Sequence, residues 1–170
     1  LSSNNSINQM GSATMNIKSI KGNISLPYAN SSKITVDKMG EGNQVYVNGT
    51  SGKVDIKELH GEAWIYQTSG SVTLDTYSND VSVKTTSGKI NVSYRNQSIA
   101  NELNFESTSG EINLKVRGDL AFIAKFVDTN GKDRTQDKIS IEFYKGFFVN
   151  PLTINAGTKY INFVSNASIN

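Results

Sequence analysis

The segments TSGKVDI (50–56), TSGSVTL (68–74), TSGKINV (86–92) and TSGEINL (108–114) are near copies of one another. Their glycines, Gly52, Gly70, Gly88 and Gly110, are separated by 18, 18 and 22 residues. A fixed period of this kind is the signature of a repeat architecture, in which each unit buries its apolar face only by stacking on its neighbours.

Weaker copies lie halfway between. HGEAWI places Gly61 nine residues after Gly52 and nine before Gly70. Asn43, Asn79 and Asn101 hold the corresponding midpoints of the other units. The unit is therefore a nonapeptide, and two of them make one 18-residue coil. The four extra residues between Gly88 and Gly110 fall in a polar stretch around 95–98, which reads as a loop bulging from one corner.

Each unit runs turn residue, polar, apolar, polar, apolar. The apolar pairs are Val45/Val47, Val54/Ile56, Ala63/Ile65, Val72/Leu74, Val81/Val83, Ile90/Val92, Leu103/Phe105 and Ile112/Leu114. Period two means a strand with one buried face, and the many β-branched residues suit strands. The glycine or asparagine is expected to supply a positive φ at the corner. Identical phase in every unit fits a chain that winds in one direction, not a series of hairpins. The expected fold is all-β, a parallel β-solenoid of β-helix or β-roll type with two-strand coils. Thr50, Thr68 and Thr86 are expected to form an internal ladder at one edge, with Leu59 and Tyr77 in the equivalent place opposite.

The ends are less regular. KGNISL (21–26) and SKITV (32–36) read as earlier coils with drifted spacing, and residues 1–14 as a flexible or capping segment of the same single domain. Beyond Arg117 the repeat dissolves and aromatics gather: Phe122, Phe126, Phe143, Tyr144, Phe147 and Phe148. A solenoid must cover its last core cross-section and sheet edge, so 117–170 is expected to form irregular coils and an aromatic cap. NGK (130–132) reads as a hairpin turn. Strands are expected near 139–143, 152–154 and 160–164.

Composition narrows the function. The net charge is +2 with both signs interspersed, so no basic stripe points to nucleic acid. No cysteine is present, which excludes thiol catalysis, disulfides and Cys-type zinc sites. The longest apolar stretch, 120–127, is broken by Lys125 and too short to span a bilayer. The start at Leu1 is read as that of a mature or trimmed chain, with an export segment expected upstream.

The TSG-[KSE]-[VI]-x-[LIV] repeats resemble a bacterial family labelled as adhesins, a β-strand-repeat domain of unknown function in cell-envelope proteins. The resemblance is strong over 43–114 and weak elsewhere. It implies a parallel β-solenoid in an exported or membrane-associated envelope protein, with relatives in envelope-stress systems. The family offers no catalytic residues to carry over, and Gly52, Gly61, Gly70, Gly88 and Gly110 read as structural turns.

Chemistry-bearing candidates are few. His60 is the single histidine and reads as a solvated corner residue. DTNGKDRTQD (128–137) has the wrong frame for an EF-hand, since Gly131 is fourth rather than sixth. Calcium β-rolls need G-G-x-G-x-D turns, which TSGK and TSGE do not supply. Polysaccharide-cleaving β-helices need clustered acids, but the ladder Asp55, Thr73, Asn91, Asn113 carries one. The N-x-S/T triplets at Asn30, Asn48 and Asn91 are expected by chance in a chain this rich in Asn, Ser and Thr. No enzyme, cofactor or metal is expected.

With an 18-residue coil, Tyr46 lies beneath Trp64 and Asn48 beneath Tyr66. Tyr46, Trp64 and Tyr66 would then share one outer face, able to stack on sugar rings or anchor a protein, unless the C-terminal third covers them or they are a stabilising cross-strand cluster. The expected function is a non-catalytic envelope or extracellular binding module that meets a glycan or an envelope protein. The alternative is a regulatory or scaffolding domain of an envelope-stress protein. A polysaccharide-active enzyme ranks below both.

Overall fold

Strict alternation lets each strand of this chain bury one side only, so its strands must find a second layer to cover them. In the computed structural model that layer is the chain's own next half-coil. The structure describes residues 5–7, 10–78, 80–96, 103–108, 110–116, 123–127, 142–143 and 160–165.

The first strands are β1 (Asn5–Ser6), β2 (Thr14–Ile20), β3 (Ile24–Leu26) and β4 (Lys33–Met39). Two long strands follow, β5 (Gln44–Leu59) and β6 (Glu62–Thr76). Then come β7 (Val81–Thr85), β8 (Lys89–Tyr94), β9 (Leu103–Ser107), β10 (Ile112–Val116), β11 (Ile123–Val127), β12 (Glu142–Phe143) and β13 (Tyr160–Ser165). No helix occurs among the described residues. Every strand pairing is parallel, as a chain winding in one direction requires.

The strands alternate between two faces of a β-solenoid. One face stacks β1, β3, the first half of β5, the first half of β6, β7 and β9. The other stacks β2, β4, the second halves of β5 and β6, then β8 and β10. The register is 18 residues at Tyr46↔Trp64 and Val72↔Ile90, and 22 at Ile90↔Ile112. It drifts to 19 at Thr14↔Lys33 and 20 at Lys33↔Lys53. KGNISL and SKITV are thus coils, as their alternation implies. The four extra residues lie between Tyr94 and Leu103, a connection of eight residues against four between Thr76 and Val81; the loop expected there reaches into 97–102, outside the described residues.

The inward columns meet in one core. Leu26, Val47, Ile65, Val83 and Phe105 stack on one face, and Val36, Ile56, Leu74, Val92 and Leu114 on the other, each at most 3% exposed. Burying one such side chain stabilises the fold by about 1.5–3 kcal/mol.

Three sequence expectations need correction. Thr50, Thr68 and Thr86 are exposed; the internal column is one residue earlier, at Gly49, Gln67, Thr85 and Ser107. The inward parity of Val45 and Val47 simply continues through residue 49, and the corner begins after it. At the opposite corner Leu59 is buried but Tyr77 is exposed. Between Ile56 and Leu59 β5 carries two residues where β6 has only Asp75, so Leu59 stacks on Thr76. The column Met39, Leu59, Thr76, Tyr94 is fully buried, and Thr76 Oγ1 accepts a hydrogen bond from Ser78 N (3.0 Å) that organises the turn.

The third concerns the repeat glycines. Of Gly52, Gly61, Gly70, Gly88 and Gly110, only Gly70 has a positive φ, at 138°. The others are required by close approach. A Cβ on Gly88 would strike the carbonyl oxygen of Gly70, and one on Gly110 that of Gly88. Asn43 likewise does not use positive φ; Gly42 does, at 69°, while Asn43 Nδ2 donates to the carbonyls of Gly40 and Glu41, both at 3.0 Å. Asn79 and Asn101 lie outside the described residues.

At the C-terminal end β12 stacks on β10, and β13 stacks on β9 with β11 outside it. The strand expected at 160–164 is therefore present, inserted between two earlier ones. The expected turn at 130–132, the strand at 152–154 and the stretch 128–137 lie outside the described residues.

Candidate functional site

Outward positions on the first face follow from the same parity that fills the core. Val45 and Val47 point in, so Tyr46 and Asn48 point out; Ala63 and Ile65 point in, so Trp64 and Tyr66 point out. Tyr46 pairs in register with Trp64, and Asn48 with Tyr66. The structure thus brings together the three aromatics singled out in the sequence. All three are half-buried. The Tyr46 and Tyr66 rings lie diagonally, with centroids 6.1 Å apart and planes tilted by 56°, within the range of favourable aromatic pairs.

The column through Tyr46 and Trp64 runs on across the coils. Ser25 precedes Tyr46, and Ser82 and Asn104 follow Trp64. Beside it, Tyr66 is followed by Lys84 and Glu106, joined by an ion pair of 2.7 Å. On the other side Gln44 Nε2 donates to Glu62 (2.7 Å). These rim residues carry no repeat signature, so they become legible only once the register is known. In the described part of the C-terminal region, β13 and β11 prolong this face beyond β9 rather than crossing it.

The other sheet face is a field of paired charges. Lys57 pairs with Asp37 (2.6 Å), Lys89 with Glu111 (2.9 Å), and Lys53 with Asp55 (3.2 Å). Arg95 grips Asp75 with two hydrogen bonds of 2.7 and 2.5 Å. The Asp55, Thr73, Asn91, Asn113 ladder exists in register, and Asn113 donates to Asn91 (3.0 Å). Hydrogen bonds from Lys38 and then His60 hold the Glu58 carboxyl below the usual carboxylate range. Burial pushes the Tyr94 phenol upward.

His60 is less solvated than its corner position implies. Its ring stacks on Tyr77 at 4.6 Å, nearly parallel, and its Nε2 lies 2.8 Å from Glu58 Oε1. Tyr77 is outward by the alternation that makes Asp75 outward and Thr76 inward. No group of three or more His, Cys, Asp or Glu side chains is placed to hold a metal among the described residues. No described helix is long and apolar enough to cross a membrane.

One inward polar group escaped sequence reading. Gln67 is 4% exposed, and its Oε1 has no hydrogen-bond partner. Its amide occupies the space a Cβ on Gly49 would need, 2.9 Å from Nε2. The neighbouring hydroxyls are satisfied: Thr85 Oγ1 donates to Ser107 Oγ (3.1 Å), which accepts from Gly110 N (2.8 Å).

No curated protein and no solved structure gave a significant match. The family whose signature matches is described as Toastrack DUF4097, and the match covers residues 1–144. That family is uncharacterised, and nothing in the match attaches the adhesin role that the repeats' resemblance implied. With its repeats, parallel coils and most of its length accounted for by that match, the chain belongs to the Toastrack DUF4097 family.

Proposed function

We propose that this solenoid is a non-catalytic binding module of the bacterial cell envelope or surface. Its first sheet face, around Tyr46, Trp64 and Tyr66, meets a surface polymer or a protein. The observation that carries this reading is the outward cluster itself. Three large aromatic side chains stand on a solvent-facing sheet where the coil repeat requires none, since other coils place Ser25, Ser82, Asn104 and Lys84 in the same columns. The recurring residues, by contrast, are used up by turns and core. Four acids on the described faces support a passive role: Asp55, Asp75, Glu106 and Glu111 are each engaged with a lysine or arginine.

Cosedimentation of the labelled domain with purified bacterial cell walls tests the proposal. Wild type is expected to pellet, and Trp64→Ala and Tyr66→Ala to remain in solution with unchanged circular dichroism. Release of soluble sugar from the walls would reject the non-catalytic reading. Equal pelleting of both variants would reject the face.

A further inference from the structure

We infer that the ligand of this face is an uncharged, linear polysaccharide lying along the solenoid axis, an assignment that rests on the proposed binding role of the aromatic cluster. The first argument is size. A stable protein–protein contact buries about 800 Å² on each partner around a fully desolvated core. Three half-buried rings on a flat sheet offer a fraction of that, and their neighbours are hydroxyls, amides and ion pairs rather than further apolar side chains. A sugar ring needs only one aromatic face and a few hydrogen-bonding groups beside it.

The second argument is direction. Ser25, Tyr46, Trp64, Ser82 and Asn104 form one column across five successive strands of this face. Strands lie about 4.8 Å apart, close to the advance of one sugar ring in an extended β-linked chain. A polymer along this column meets rings at its centre, and hydroxyl or amide groups at its ends, in step with its own repeat. Across the column, a strand offers three outward positions before its corner, Gln44, Tyr46 and Asn48 on β5 or Glu62, Trp64 and Tyr66 on β6. A strand-wise path thus also meets up to two rings, but it is shorter than the column and on β6 begins at a carboxylate.

The third argument is charge. Glu62 flanks the column, and Asp80 lies one coil on from it, where Ala63 N donates to the Asp80 carbonyl (3.0 Å). Glu106 adds a third carboxylate, against the ammonium of Lys84 and, at the register position beyond Asn162 at the far end of the column, Lys125. An anionic polymer such as a uronic-acid glycan or nucleic acid meets net repulsion here, and an uncharged one does not.

Affinity electrophoresis in native gels containing hydroxyethylcellulose, xylan or hyaluronan provides the test. Wild type is expected to be retarded by an uncharged polymer and not by hyaluronan. Trp64→Ala is expected to weaken retardation at least tenfold. Ser82→Trp, which extends the ring column by one coil, is expected to strengthen it. Retardation by hyaluronan equal to that by the uncharged gels, or a Trp64→Ala variant that migrates like wild type in them, would overturn the assignment. Absence of retardation in every uncharged gel, while cell-wall cosedimentation still depends on Trp64, would remove the ligand class and leave the binding face standing. Cosedimentation indifferent to Trp64 would remove both.

Discussion

A methyl group on Gly88 would point at the carbonyl oxygen of Gly70, whereas one on Gly11 would meet nothing within 4 Å. Both have ordinary φ, so the pair separates packing from backbone strain. Gly88→Ala is expected to destabilise by about 1–3 kcal/mol, because an added carbon in a packed site forces the backbone aside. Gly11→Ala is expected to be neutral or slightly stabilising. Urea denaturation of the two variants decides it; equal midpoints would mean that the glycine ladder is not set by close approach. Gln67 makes the opposite case. Its Oε1 loses water on burial and gains no partner, a cost that an apolar side chain of similar length avoids. Gln67→Met is expected to be neutral or to stabilise by about 1 kcal/mol, read from the same titration. A clear loss of stability would show that the amide is bound in some other way.

At the scale of the strand, parity decides which substitutions matter. Val72 and Leu74 are at most 1% exposed, in β6, with strands on both sides. A carboxylate there sits between two apolar layers with no partner, so Val72→Asp or Leu74→Asp is expected to cost roughly 4 kcal/mol or more and abolish cooperative melting. A wild-type melting temperature would mean the inward face is misassigned. The outward residues of the second face respond to pH instead. Glu58 receives hydrogen bonds from Lys38 and His60, and its folded pKa lies below the ordinary value of 4.5. A lowered carboxylate pKa stabilises the fold fully above the unfolded value and loses that contribution as pH falls through the folded one. Glu58→Gln is therefore expected to lower the melting temperature near neutral pH, with the gap to wild type closing below pH 4.5. A gap independent of pH would separate the effect from ionisation. The sequence displayed this alternation plainly in the Val and Ile pairs. It did not display the bulge opposite Asp75, because nothing local distinguishes a two-residue from a one-residue step between Ile56 and Leu59. That bulge brings Leu59 inward onto Thr76, while Tyr77, outward by the unbroken alternation of β6, stacks on His60.

For the whole molecule, the coil is the unit of stability, because each one touches only its neighbours. Inserting a second copy of residues 71–88 after Gly88 adds one complete 18-residue coil and restores every column, so the longer chain is expected to fold. Its urea m-value should rise with the added buried surface, and its midpoint should stay near that of wild type. Inserting only residues 80–88 rotates all later coils by half a turn. The glycine corner then falls on the Leu59–Tyr94 corner, and the product is expected to aggregate or melt early. A well-folded protein from the nine-residue insertion would show the two corners to be interchangeable. The aromatic cluster is also a whole-molecule property. Tyr46 and Tyr66 are twenty residues apart in the chain, and they face each other only because the coil closes at 18.

The amino-acid sequence by itself determined the parallel solenoid, its coil length, its inward pairs, the four-residue lengthening of the connection before Leu103 and the shared face of Tyr46, Trp64 and Tyr66. All of these follow from two periodicities, two and eighteen, written in residue type. The tertiary structure alone decided what happens where those periodicities break. It placed Gly49, Gln67, Thr85 and Ser107 inside the corner in place of the threonines, because strand parity runs one residue further than the repeat motif suggests. It made the repeat glycines a matter of carbonyl contact between coils, which is a distance across the stack and has no local signature. It set β13 between β9 and β11, since the pairing of a late strand depends on which edge is open when the chain returns to it.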